Sequence, residues 1–203
     1  MQKIDLKEHL SNLYNASVNK PVIVDVPAMN FIMIDGAGDP NTSPEYQSAI
    51  EALYTLSYTL KFTIKKGKQA IDYGVMPLEG LWWVEDMTRF TMADKSAWSW
   101  TAMIMQPEYV TPGLFSQALA DAGKKKDLVA LTKARFTSFR EGLSAQIMHI
   151  GPYAAEEPTI RRLHKFIEDS GHTLQGKHHE IYLTDARRSA PDKMKTIIRQ
   201  PIK

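Results

Sequence analysis

The sequence contains no cysteine. That removes disulfide frameworks, thiol nucleophiles and thiolate metal sites together, and it fits a reducing compartment. A dominant charge is missing too: 25 Lys and Arg against 23 Asp and Glu leave a formal net charge of +2, too little to form a nucleic-acid surface. Basic residues cluster only at Lys124-Lys125-Lys126 and Arg187-Arg188, which read as solvated loop or helix-end charge. Segment 1–13 has acidic residues among the basic ones and no continuous apolar core, so it is neither a signal peptide nor a membrane anchor. The 203 residues, 43% hydrophobic and 24% charged, are expected to form a compact soluble protein of the cytoplasm.

Signatures of common chemistries are absent as well. There is no Gly-x-Ser-x-Gly elbow and no Walker loop, and Gly36-Ala-Gly38 lacks the third glycine of a dinucleotide fingerprint and runs into Asp39-Pro40. His178-His179-Glu180 has no third ligand at a recognised interval, and neighbours on a strand face opposite ways. No metal and no cofactor are therefore expected.

What is present is a repeat. Phe31-Ile-Met-Ile-Asp-Gly36 lies over Gln146-Ile-Met-His-Ile-Gly151, and Thr101-Ala-Met-Ile-Met-Gln-Pro107 lies over Lys195-Thr-Ile-Ile-Arg-Gln-Pro201. Between these markers each half reads as strand, helix, strand, strand. In the first, β-rich runs at 22–26 and 30–34 are separated by Pro27, and Gly36-Ala-Gly-Asp-Pro40 breaks the chain. A helix capped by Thr42 or Ser43 follows, with Pro44 in its first turn and Tyr46, Ile50, Leu53, Tyr54 and Ser57 as its inner stripe. Strands at 75–85 and 97–105 hold all four tryptophans. A helical connector covers about 111–143. In the second half a strand at 144–150 precedes a helix at 157–169 closed by Gly171, then strands at 178–183 and 194–198. One domain is expected over 1–203, with a first module at about 22–110 and a second at about 144–203. A short helix capped by Asp5 acts as an N-terminal clasp.

Strand alternation puts Glu180 with Tyr182, Gly80 with Trp82, and Trp98 with Trp100 on common faces, which predicts an aromatic-lined cleft containing one acid. A carboxylate among rings can meet a lipophilic cation or orient and deprotonate water. The competing expectation is that the tryptophans are core and Glu180 a solvated strand charge. Glu79 is the second acid nearby; it points away from Trp82 unless Pro77 and Gly80 mark a bulge that turns it inward. Phe139, His149, Tyr73, Tyr153 and His178 are secondary candidates for the pocket wall.

Four segments in this order, Pro77-Leu-Glu-Gly-Leu-Trp-Trp83, Gln146-Ile-Met-His-Ile-Gly-Pro-Tyr153, Gly176-Lys-His-His-Glu-Ile-Tyr-Leu183 and Ala190-Pro-Asp-Lys-Met-Lys-Thr196, resemble the GyrI-like small-molecule-binding proteins. The likeness runs from about Val22 to the C-terminus. It implies an α+β fold of two strand-helix-strand-strand modules related by a pseudo-twofold, with antiparallel sheets and a ligand groove between them. It also implies planar hydrophobic or cationic small molecules as partners, with neither nucleic acid nor membrane, and a monomer as the favoured state. In regulators of the family a buried glutamate and aromatics receive lipophilic compounds, and Glu180 matches that glutamate in its His-Glu-Ile-Tyr setting. About twenty residues precede the first strand, too few for a winged helix-turn-helix, so the chain resembles the stand-alone forms that hydrolyse cyclopropane-bearing toxins. On that likeness Glu180 is the expected catalytic acid/base with Glu79 as runner-up, and Trp82, Trp83, Trp100, Tyr182, Phe139 and His149 are the expected ligand contacts. The alternative expectation is drug sequestration without turnover, or engagement of gyrase.

Overall fold

The computed structural model of the chain describes residues 2–92, 94–125, 128–185 and 187–203. In chain order the elements are β1 Gln2–Ile4, α1 Leu6–His9, α2 Ser11–Tyr14, β2 Val22–Ala37, α3 Pro44–Lys66, β3 Ile71–Tyr73, β4 Leu78–Trp83, β5 Ser99–Gln106, α4 Pro112–Lys125, β6 Arg135–Ile150, α5 Glu157–Asp169, β7 His178–Tyr182 and β8 Lys195–Pro201. The fold is α+β, built from two strand-helix-strand-strand modules: β2, α3, β4, β5 and β6, α5, β7, β8.

The main strands close into a barrel in the order β2-β5-β4-β7-β8-β6, with every pairing antiparallel. Within each module the spatial order is first, third, second strand, and the modules meet first to first and second to second, as a pseudo-twofold requires. The register makes the duplication concrete. Phe31 pairs with Met105, and their repeat counterparts Gln146 and Arg199 pair with each other. Ile34 with Ala102 and His149 with Thr196 repeat the match.

The long strands differ from expectation. Val22–Ala37 is one strand, because Pro27 falls where β2 has only β6 beside it; pairing with β5 starts at Asn30, so the missing N–H interrupts no ladder on that side. Gly36 continues the strand instead of ending it. At the other boundary, β6 begins at Arg135 rather than Ser144. Its first half pairs with β2 while none of its residues up to Leu143 is buried, so its polar composition resembles that of a connector.

Helix α3 starts where Ser43 Oγ accepts from the Tyr46 N–H at 3.2 Å, with Pro44 in the first turn. Its buried stripe includes Tyr46, Ala49, Leu53, Leu56, Leu60 and Ile64. Ile160, Leu163 and Ile167 form the corresponding stripe of α5 and pack with Ala145, Ile147 and Ile198. Both helices thus cover the outer face of the barrel, and the alternate residues point inward.

That inward face carries charge. Tyr14, delivered by α2, donates to Glu79 Oε1 at 2.7 Å. His179 stands between two carboxylates, its Nε2 3.0 Å from Glu79 Oε2 and its Nδ1 2.9 Å from Glu141 Oε1. Arg199, fully buried, donates to Glu141 Oε2 at 3.3 Å, to Gln146 Oε1 at 3.0 Å and to the Leu13 carbonyl at 2.7 Å. Burial alone would lower the His179 pKa, but Glu141 and Glu79 outweigh it and raise it to about 9. Burial opposes ionisation of Glu141 too, yet His179 and Arg199 hold it below the usual carboxylate range.

The network therefore sets a pH window for stability. The His179 contribution is complete below its unfolded pKa of about 6.5 and is lost as pH rises through about 9; the Glu141 contribution is present above the ordinary carboxylate range and is lost as pH falls through it. Urea denaturation across that range should give highest stability on the acid side of neutrality and a decline toward pH 9. His179→Gln should weaken the alkaline decline without abolishing it, because buried Glu156, whose pKa is pushed up to about 9, also loses its proton as pH rises. Arg199→Met should destabilise by about 3–5 kcal/mol, because Glu141 loses a buried counter-charge.

Candidate functional site

Opposite the charged interior, the outer face at the β4–β7 seam is aromatic. Pairing sets Gly80 across from Glu180, Leu78 across from Tyr182, and Trp82 between Trp100 and His178. Paired residues share a face, so all of these side chains point toward the helix layer. Two glycines make room for the indoles. A Cβ on Gly80 would stand 2.7 Å from Trp82 Nε1, and one on Gly36 would stand 2.1 Å from Trp100 Cζ2, closer than packed atoms approach. Each ring therefore lies directly on strand backbone. Tyr46 of α3 closes over them, its ring 5.4 Å from Trp82 and 5.0 Å from Trp100. Trp98 packs on Trp82 at 5.3 Å, and Phe90 stacks on Trp98 at 4.7 Å while also lying against His178.

Into this ring cluster project two buried carboxyls. Glu180, 5% exposed, accepts from the Tyr182 hydroxyl at 2.7 Å through Oε2, and His178 Nε2 lies 3.0 Å from its Oε1. Trp82 Nε1 in turn donates to the Tyr182 oxygen at 3.1 Å. Burial opposes the charge on Glu180, but His178, Tyr182 and the Lys95 ammonium overcome it and hold its carboxyl below the usual range. Glu156, on the turn before α5, is 0% exposed, with the Thr196 hydroxyl and the Glu180 carboxylate as its polar neighbours. Burial first, then the neighbouring Glu180 charge, push it up to about 9. One carboxyl is thus held ionised and the other holds its proton at neutral pH. Unpaired buried atoms flank them: Trp100 Nε1 and His164 Nε2.

The comparisons with known proteins bear on this geometry. The model of the GyrI-like small molecule binding domain matches residues 19–203. The chain belongs to that GyrI-like family. Among solved structures, a hydrolase from Listeria innocua is 40% identical with a TM-score of 0.89, the match covering 100% of both chains. An uncharacterized conserved protein from Listeria innocua is also 40% identical, with a TM-score of 0.91 over 98% of this chain and 100% of that one. The EcmrR C-terminal domain, 12% identical over 91% of this chain and 97% of that one, shares the fold with a TM-score of 0.55. Among curated proteins, none matches.

Within this GyrI-like chain the residues singled out from the sequence fall into two groups. Glu180, Tyr182, Trp82 and Trp100 lie on the aromatic face, together with Trp98 and His178. His149 shares that face through its pairing with Thr196, but its nitrogens lie 3.0 Å from Thr159 Oγ1 and 3.3 Å from the Pro152 carbonyl. Tyr153 also reaches the site, its ring 5.4 Å from Tyr182. Glu79 is on the other face: pairing through β4 is regular from Leu78 to Trp83, no bulge turns it, and it belongs to the interior network. Trp83 likewise points away and lies under the Lys177 ammonium. Phe139 packs edge-on against Phe31 at 6.2 Å, and Tyr73 pairs with Tyr109.

Sequence reasoning missed Tyr46 as a wall of the site, although its place in the α3 stripe was evident, and missed Glu156 altogether. An acid before Glu157-Pro158 resembles solvated charge at a helix start; no pattern in the sequence marks it as buried.

The glycine cradle is testable. Gly80→Ala should force the Trp82 indole off the strand, costing about 1–3 kcal/mol of stability by overpacking and breaking the Trp82–Tyr182 hydrogen bond. Thermal melting together with tryptophan emission will check this; unchanged emission and melting would mean that the indole does not rest on Gly80.

Proposed function

We propose that this protein binds planar hydrophobic molecules in the cytoplasm and adds water to strained cyclopropane rings they carry, with Glu180 as general base. The observation that carries this reading is the Glu180 carboxylate, kept ionised by hydrogen bonds while buried among Trp82, Tyr182 and Tyr46. A desolvated carboxylate of this kind is poised to take a proton from water held against a bound electrophile. The aromatic faces supply stacking area for a flat ligand and fix its attack geometry. A 40% identical relative of equal length is described as a hydrolase, which agrees with turnover.

In the unliganded state the rings touch one another, with centroids 5.0–5.4 Å apart. A flat ligand must part them to reach Glu180. Association should accordingly be slower than diffusion allows, and tryptophan emission should report it.

A second reading has an observation in its favour: an ionised carboxylate ringed by π-faces also suits a lipophilic cation, held without chemistry. Mass analysis separates the two. Recovery of the cyclopropane compound with one added water means catalysis; unchanged compound means sequestration. If catalysis holds, Glu180→Gln should retain ligand-induced quenching while turnover falls at least about a hundredfold. Trp82→Ala should instead weaken binding by loss of a stacking face. Glu79→Gln should reduce stability with little effect on the chemical step, and loss of turnover in that variant with full activity in Glu180→Gln would move the base to the barrel interior.

A further inference from the structure

The outward face of α3 carries rings where the equivalent helix of the other module carries charge. On α5 the exposed four-residue spacing is filled by ion pairs, Glu157 with Arg161 and Lys165 with Asp169, an ordinary way to build a solvated helix face. On α3 the same spacing holds Tyr54, Tyr58 and Phe62, outside the buried stripe through Leu53, Leu56, Leu60 and Ile64. Tyr58 is 46% and Phe62 47% exposed, and no other aromatic side chain among the described residues is exposed. Isolated apolar groups on a surface need no explanation, but rings in register form a continuous patch. The fold does not require them, since its other module is built with a charged helix face.

The helix sets their spacing. Four residues rise about 6 Å, and the ring centroids follow at 6.4 Å from Tyr54 to Tyr58 and 6.3 Å from Tyr58 to Phe62, with the planes inclined by 31° and 26°. The rings thus stand one above another like rungs instead of in face-to-face contact, which occurs at about 3.5 Å. A flat ring between two rungs needs two such contacts, about 7 Å in all, so each gap falls short by roughly 1 Å. Exposed side chains rotate on the picosecond-to-nanosecond scale, and parting the rungs by that amount needs no change in the backbone. Charge along the ladder is uneven. At its Phe62 end Lys61 and Lys65 share one carboxylate, Asp72, at 3.5 and 2.7 Å. The Lys66 ammonium lies 6.0 Å from the Phe62 ring and makes no ion pair among the described residues. At the Tyr54 end Asp185 and Arg187 neutralise each other at 2.9 Å, and Glu51 lies one turn before Tyr54.

From spacing and charge together we infer that α3 carries a second binding site on its surface, for flat aromatic molecules with an anionic group on one edge. The ring enters between Tyr58 and Phe62, and the anion meets Lys66. This site is separate from the buried centre around Glu180, where the resident carboxylate repels an anion. It does not depend on the water-addition reading and involves no chemical step. An aromatic carboxylate, sulfonate or phosphate ester fits it; an aliphatic anion lacks the plane.

Naphthalene sulfonate titrated into the full-length protein and followed by proton NMR is the test. Its ring protons should shift upfield as they enter between Tyr58 and Phe62, binding should weaken with salt, and cyclohexane sulfonate should not bind over the same range. On the scale of ring-on-base stacking, Tyr58→Ala and Phe62→Ala should each weaken binding about tenfold. Phe62→Leu keeps apolar bulk without the plane and should weaken it about as much, and Lys66→Glu should weaken it at least as far. Thermal melting should be unchanged in all four variants, because these side chains are exposed. Equal binding of the cyclohexane compound, or full affinity in both Tyr58→Ala and Phe62→Leu, overturns the inference. So does self-association through this face, seen as concentration-dependent sedimentation that is lost in Tyr58→Ala, with no upfield shift of the probe.

Discussion

Everything distinctive about this molecule depends on one antiparallel seam, the pairing of β4 with β7 that sets Gly80 opposite Glu180. Side chains alternate along both strands, so this register sends Glu79 and His179 into the barrel and Glu180 and Tyr182 out beneath the helices. A slip of one residue would exchange the two faces: the ion network would lie against Tyr46 and the tryptophans, and the aromatic acid would enter the barrel. The register is fixed at both edges, because β4 is held by β5 and β7 by β8. Closure of the barrel therefore determines the chemistry on each side of the sheet.

The two faces solve the problem of buried carboxyls in opposite ways. Inside, Glu141 meets His179 and Arg199, and the Arg199 guanidinium reaches three acceptors, so burial is offset by near-complete pairing. Outside, Glu180 is paired with Tyr182 and His178, while Glu156 stays neutral because burial and the Glu180 charge beside it outweigh the Thr196 hydroxyl.

Much of this was legible in the sequence, for identifiable reasons. The repeat was visible because strand ends with Gly and Gln-Pro recur in order, and the pairing of Gln146 with Arg199 follows from that of Phe31 with Met105. Alternation sets Glu79 on the face opposite Trp82, but the bulge expected at Pro77 and Gly80 kept it among the candidates beside Glu180, and the regular β4 pairing removes it. What escaped was what depends on three-dimensional neighbours. Gly80 suggested a bulge because nothing in one dimension reveals an indole lying over it. The first half of β6 reads as connector in the sequence because a half-exposed strand paired with a similar partner needs few apolar residues. Glu156 looked like ordinary helix-start charge, and only the closure of Thr196 and Glu180 around it makes it unusual.

The duplication also has a consequence for stoichiometry. By the register, Glu180 corresponds to Leu78 and Tyr182 to Gly80, since Leu78 pairs with Ile104 as Glu180 pairs with Ile198, and Gly80 with Ala102 as Tyr182 with Thr196. The second module thus supplies the acids with Tyr182 while the first supplies the indoles with Tyr46, and neither holds a full set. Two nearly equivalent halves form a single off-axis centre, so the pseudo-symmetric chain should titrate with one ligand and show none of the cooperativity that a pair of equivalent sites would allow.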